Sequence, residues 1–298
     1  MIQADNFSFL ILILIAFLLV KAGFDTKAFD SIPKLLFNLC MPSLILVSFT
    51  GLDDDISQQD AVFIAVFAIA YTLAVYPAAR YALRRYQNVS RRETLALNMV
   101  LGNISFVGLP FIAFFFGIWG VRLAILFSAI QDFFIWSFCY WIFAGKGSVK
   151  QTLKVIFNPC FVAIVLSFAL AGMGLEIPAL ARAPVNMLAD MTVPLALLCI
   201  GSLVAQNTGA LRYVDRDAVI SISLKTFMLP AIVFAALTAF SFDPALTLLV
   251  TFITALPVGL ISVIFAKEFD KDIAFANVVF VLSTLLFILM CVVLFVFS

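Results

Sequence analysis

Few residues in this chain can do chemistry, and most of them stand inside apolar runs. Asp132, beside Gln131, lies in the middle of one run, Asp190 in the outer part of another, and Lys225 in the inner half of a third. An ionisable group at mid-membrane costs about 2.5–3.5 kcal/mol on insertion scales, so one retained there is a functional candidate. Asp132 is a candidate carrier of a coupling proton. Lys225 is a candidate attractor of an anionic substrate, against plainer readings in which it reaches the cytoplasmic interface or pairs with a carboxylate. A second set is uncharged. Residues 101–117, LGNISFVGLPFIAFFFG, are apolar enough for lipid, yet Gly102, Asn103, Ser105, Gly108 and Pro110 interrupt them. Residues 251–266, TFITALPVGLISVIFA, carry Thr254, Pro257 and Gly259 in the same manner. Proline has no amide hydrogen and clashes with the carbonyl four residues back, so breaks are predicted at Pro110 and Pro257. Freed backbone groups are tolerated at membrane depth only beside protein or a water-filled cavity. Half-helices starting there would aim positive amino ends at the contents of the break, which favours a carboxylate held also by Asn103 and Gln131. The plainer reading is that these prolines only kink packed helices.

The elements that must position these groups are membrane spans. The chain is 64% hydrophobic and 12% charged, with a mean hydropathy of +1.17, far from a soluble domain's roughly 25% charged residues. Ten spans are expected, near 7–23, 32–50, 61–83, 94–117, 121–144, 156–173, 184–206, 217–239, 244–267 and 272–297, giving an all-α membrane protein. The first has no basic leader before it and reads as a permanent span, not a cleaved signal. The net charge of +1 offers nucleic acid no basic surface, and the absence of histidine removes Ser-His and Cys-His catalysis and His-ligated metal. Cys40, Cys139, Cys160, Cys199 and Cys291 show no CxxC spacing, so no metal or cofactor is expected.

Fifteen lysines and arginines, from Lys21 to Lys271, fall in connections on one side, against Arg122 and Arg182 on the other, where Asp53, Asp54, Asp55 and Asp60 also fall. The positive-inside rule then puts both termini outside the cytoplasm. The run from Arg80 to Arg92 reads as a topology determinant touching anionic lipid. Trp119, Trp136 and Trp141 suit interface belts or packing.

One constant offset carries Asn6 to Asn158, Phe9 to Phe161, Asn38 to Asp190 and Pro42 to Pro194. With small drift, Pro77 matches Pro230 and Leu109-Pro110 matches Leu256-Pro257. Two halves, 1–145 and 150–298, of five spans each are expected. An odd number makes the second half enter the membrane inverted, the plan of many secondary transporters. Asn38 and Asp190 could face each other across the pseudo-two-fold axis, or merely pack.

The chain also resembles the auxin efflux carrier family of membrane transporters, in particular bacterial members described as malonate or malate permeases. The resemblance rests on GNISFVGLP followed by FFFG, NPCFVAIVLS, VPLALLCIGSLV, LKTFMLP, TALP, AKEFDKD and VLSTLL, in that order along the whole chain. It implies a scaffold of spans 1, 2, 6 and 7 and a mobile transport domain of spans 3–5 and 8–10. It further implies broken, crossing fourth and ninth helices meeting at Pro110 and Pro257, an elevator motion and a homodimer joined through the scaffold. Asn103 matches the polar position ahead of the family's crossover proline, and Lys225 a basic position before a proline in the eighth span. The long central loop of plant members is missing, which argues against auxin itself.

The resulting expectation is a non-enzymatic carrier of a small mono- or dicarboxylate in the cytoplasmic membrane. No GxxxxGKS loop is present, so a proton or sodium gradient, or the substrate's own, would drive it. Alternatives are a sodium-coupled carrier like the bile acid symporters, a membrane sensor that binds without transporting, and an intramembrane hydrolase using a Ser-Lys or Asp-Asp arrangement.

Overall fold

The computed structural model describes residues 5–50, 56–134, 159–268 and 271–297. The regular structure among them is helical, with one isolated antiparallel bridge, Gly102 to Val258. In order the helices are α1 (Asp5–Lys21), α2 (Lys27–Asp30), α3 (Ile32–Leu35), α4 (Met41–Thr50), α5 (Gln58–Ala82), α6 (Val89–Val100) and α7 (Leu109–Phe134). After 159 come α8 (Pro159–Gly172), α9 (Ala179–Asp190), α10 (Thr192–Asn207), α11 (Arg216–Ser223), α12 (Leu229–Ala239), α13 (Pro244–Ala255), α14 (Leu260–Glu268) and α15 (Ile273–Phe297). Six helical runs among the described residues are long and apolar enough to cross a membrane: Lys27–Phe49, Gln58–Ala82, Ile104–Phe134, Ala179–Tyr213, Arg216–Ala239 and Ile273–Val293. Leu10–Lys21, Pro159–Leu170 and Pro244–Ala255 are shorter apolar helices. The chain is an all-α membrane protein. The expected fifth span beyond 134, with Trp136, Cys139 and Trp141, lies outside the described residues, as do Asp53 to Asp55, Lys146, Lys150, Lys154, Asn158 and the boundary between the halves.

Polar caps mark several starts. The side chains of Ser57, Asn88, Asp215 and Asp243 accept from the amides of Asp60, Arg91, Ala218 and Leu246, satisfying donors that the first turn leaves orphaned. Three prolines share one device. A five-residue π-helical turn, Leu36–Cys40, Ile104–Gly108 or Leu224–Met228, directly precedes Met41-Pro42, Leu109-Pro110 and Leu229-Pro230. The wider turn shifts the hydrogen-bond register ahead of the residue that has no amide to donate. Pro77 is carried inside α5 with no interruption of the helix.

α7 is two segments. Gly117, at φ 63° and ψ −161°, interrupts it in a conformation that only glycine adopts without strain. A Cβ at Gly120 would lie 2.3 Å from the Phe116 Cβ and 3.1 Å from Ile112 Cγ2, although eight residues of straight helix span about 12 Å. The chain therefore doubles back at Gly117, and residues 109–116 and 118–134 are separate helical segments. Arg122, counted with the connections at the start of the expected fifth span, falls in the second segment and is buried.

The helices pack in two groups. α1 lies along α10, and α4 is held between α8 and α9. In the other group α5 packs on α6 and α7, α12 on α13, and both α11 and α14 on α15. α1 and α10 approach where Gly201 faces Ala16 and the Ile13 carbonyl, so that the backbones nearly touch in the manner of small-residue interfaces in membranes. A Cβ on Gly201 would stand 2.1 Å from that carbonyl oxygen. Gly201→Ala is expected to cost about 1–3 kcal/mol by overpacking, lowering the Tm of detergent-purified protein. Gly209→Ala, at a position with nothing within 4 Å of the added atom, should leave the Tm unchanged.

Candidate functional site

Two helices stop partway and cross at their interruptions. α6 ends at Val100, and residues 101–103 run extended before the π turn at 104. α13 ends at Ala255, and residues 256–259 run extended before α14. The two extended pieces lie antiparallel. The Asn103 amide donates to the Pro257 carbonyl at 2.8 Å, and the Gly259 amide to the Leu101 carbonyl at 3.3 Å. Each break satisfies the other. Gly108 lets Leu256 pack against the start of the helix that follows, since a Cβ there would meet Leu256 Cδ1 at 2.6 Å.

The crossing corrects the position of the first break. Pro257 does sit in an interruption, but Pro110 does not: it lies in the first turn of α7, buried, behind the π turn that accommodates it. The interruption falls at Leu101, Gly102 and Asn103, ahead of the proline. Leu109-Pro110 and Leu256-Pro257 therefore occupy different structural positions, and the partner of the Pro257 segment is residues 101–103.

The carboxyl end of α6 leaves carbonyls without intrahelical donors, and other helices supply them. Gln131 Nε2 donates to the Val100 carbonyl at 2.9 Å, and the Tyr71 hydroxyl to the Met99 carbonyl at 3.0 Å. Lys225 Nζ stands 3.4 Å from that same carbonyl and 3.4 Å from the Tyr71 oxygen. On the other break Ser283 Oγ accepts from the Val258 amide at 3.1 Å, and Ser262 Oγ donates to Asn98 Oδ1 across the crossing helices. Gln131 and Lys225 thus hold the backbone of a broken helix. Thr254 donates to the Thr251 carbonyl of its own helix at 2.9 Å.

Ser105 and Asp132 share a cavity of about 60 Å³ with Ser128, Cys160, Met41 and Ile164. Ser128 hydrogen-bonds to the Asp132 carboxylate one helical turn away. The cavity lies where α7 and the π turn at 104 meet α4 and α8, and it has room for a few waters. Asn103 lines a different hollow, of about 10 Å³, with Cys199, Ile200, Phe280 and Thr284. The amino end of the helix after the first break is therefore flanked by two separate hollows. Asn38 donates to the Lys34 carbonyl of its own helix, and Asp190 is exposed at the end of α9; neither lines these hollows.

At the end of the molecule that carries Arg80, Arg91 and Arg92, a clasp ties helix starts from both halves. Arg91 of α6 donates to Asp272 at 2.8 Å, to Asp217 at 3.3 Å and to Asp215. Asp215 caps α11 and Asp272 caps α15 through the Phe275 amide, while Tyr86 donates to Asp217. Glu93 takes Arg80 and Arg92. Burial acts to raise the Asp215 carboxyl, but the Ala218 amide and the Arg91 guanidinium outweigh it and hold the group below the usual carboxylate range. Sequence reading took this basic run as a lipid-facing topology signal and missed the clasp, because the aspartates that complete it lie more than a hundred residues away. Tyr71, Ser128 and Ser283 were missed as well; Ser128, four residues before Asp132, was findable from helical spacing.

Arg91→Gln should lower stability by about 1–2 kcal/mol after allowing for partial exposure, read as a lower Tm at pH 7. Because the Asp215 carboxyl is depressed in the folded state, its contribution exists above the ordinary carboxylate range and is lost as pH falls through the folded value. The Tm gap between wild type and Arg91→Gln should therefore narrow below about pH 4, in a pH series of thermal unfolding curves.

No curated protein matches the chain. Residues 5–295 match the family described as membrane transport protein, almost the whole length, and the chain belongs to that family, the auxin efflux carrier family of membrane transporters.

Proposed function

We propose that this transporter is a secondary carrier of a small organic anion, a mono- or dicarboxylate, driven by the proton gradient. The observation that carries the reading is the shared cavity of Ser105, Ser128 and Asp132 beside the helix start at the crossed breaks. A helix start attracts a carboxylate, and a second carboxylate, Asp132, stands in the same cavity. Two negative charges inside one small cavity repel unless one is neutralised. Binding the anion together with a proton on Asp132 removes the repulsion, and this couples the substrate to the proton gradient. Ser105 donates to the anion, and Ser128 holds the Asp132 carboxyl in place.

In this reading ten spans form two inverted five-helix repeats with both termini outside the cytoplasm. α1, α4 and α8–α10 are the scaffold. The crossed helices, with α5, α11, α12, α15 and the second segment of α7, travel past it by an elevator motion, opening the cavity first to one side and then to the other. The locally two-fold exchange of hydrogen bonds between residues 101–103 and 257–259 supports the inverted plan. A homodimer joined through the scaffold in the cytoplasmic membrane completes the proposal.

Uptake of labelled mono- and dicarboxylates into proteoliposomes, with proton and sodium gradients imposed separately, tests it. Saturable uptake driven by an inward proton gradient is expected. Asp132→Asn should abolish the pH dependence, and Ser105→Ala should raise KM about two- to tenfold, the worth of one neutral hydrogen bond. Wild-type uptake that is flat with pH and unchanged in Asp132→Asn would refute proton coupling through this residue.

A further inference from the structure

Lys225 is 1% exposed and lines neither cavity at the crossed breaks. It does not snorkel to an interface, and among the described residues no carboxylate is within ion-pair distance of it. Its neighbours are acceptors. Tyr71 spends its hydroxyl hydrogen on the Met99 carbonyl, so the oxygen presents a lone pair to Nζ, and the Tyr71 ring centroid lies 5.9 Å away. The Met99 carbonyl belongs to the last turn of α6, the end of a helix that carries about half a negative charge. In carriers with discontinuous helices, half-helix carboxyl ends and unwound carbonyls are where coupling cations are held.

We propose that the Lys225 ammonium is a tethered cation filling a monovalent-cation site at the carboxyl end of α6. A helix from the second half thereby supplies, on a covalent arm, the charge that a soluble sodium ion would supply. The π turn Leu224–Met228 sets the lysine at the required depth. On the transport reading above, sodium has no place at this position and does not drive the carrier there. The site itself is independent of that reading and of any substrate.

Thermal unfolding of the purified protein in detergent tests the site. Replacing choline chloride by sodium chloride at constant ionic strength is expected to leave the wild-type Tm unchanged. Lys225→Ala should unfold at a lower temperature and regain much of the loss, saturably, with ethylammonium or sodium. Lys225→Met, which fills the space without a charge, should be lowered and not rescued. Saturable sodium stabilisation of the wild type, or a Lys225→Met variant as stable as wild type, overturns the proposal. If Lys225→Ala does not fold, the wild-type sodium titration and Lys225→Met still decide it. None of these readouts needs transport, so a failure to find any transported anion would refute the carboxylate reading and leave this result standing.

Discussion

A peptide group inside hydrocarbon cannot turn to water, and that constraint governs where this chain can interrupt a helix. It does so twice, and the two interruptions lie against each other so that the amides of Asn103 and Gly259 donate across the gap. The Met99 and Val100 carbonyls at the end of α6 are met by Gln131, Tyr71 and Lys225, drawn from three other helices. A break of this kind is stable only as part of the whole arrangement. Removing either extended segment would strand polar groups of the other, each at a cost of several kcal/mol in lipid.

The same arrangement joins the two halves of the chain. Lys225 and Ser262 reach from the second half to α6 in the first, and Arg91 of α6 reaches back to the caps of α11 and α15. α6 is thus held at both ends, by neutral and cationic donors at its buried end and by aspartates at its polar end. The grouping of α1, α4, α8, α9 and α10 meets this body along a boundary that contains the cavity of Ser105 and Asp132. In the proposed elevator motion, movement of one body past the other opens and closes that cavity.

Much of the frame was legible in the sequence, because apolar runs, interrupting glycines and prolines, and buried charges are one-dimensional signals. The helical class and the two broken helices came from them. The location of the first break did not. Proline was taken as the breaker, yet a π turn placed just before it lets Pro110 continue a helix, while Gly102 and Asn103, ahead of it, take the extended path. The contacts of Lys225 and Gln131 with the backbone of α6 were not legible, since which carbonyls a broken helix leaves bare depends on where it stops. Arg122, counted with the connections although it stands at the start of the expected fifth span, lies buried in a helix just after the turn at Gly117.

The proposed elevator mechanism requires that the crossed helices and their fastenings move as one body past the scaffold proposed for α1, α4 and α8–α10. Double electron–electron resonance between spin labels at exposed positions tests it directly, with Val66 and Leu289 on the mobile body and Val165 on the scaffold. With a transported carboxylate and a proton gradient, the Val66–Leu289 distance should stay single and fixed, while the distances from Val165 to both should split into two populations. A Val66–Leu289 distance that changes, or Val165 distances that stay single under every condition, would contradict it.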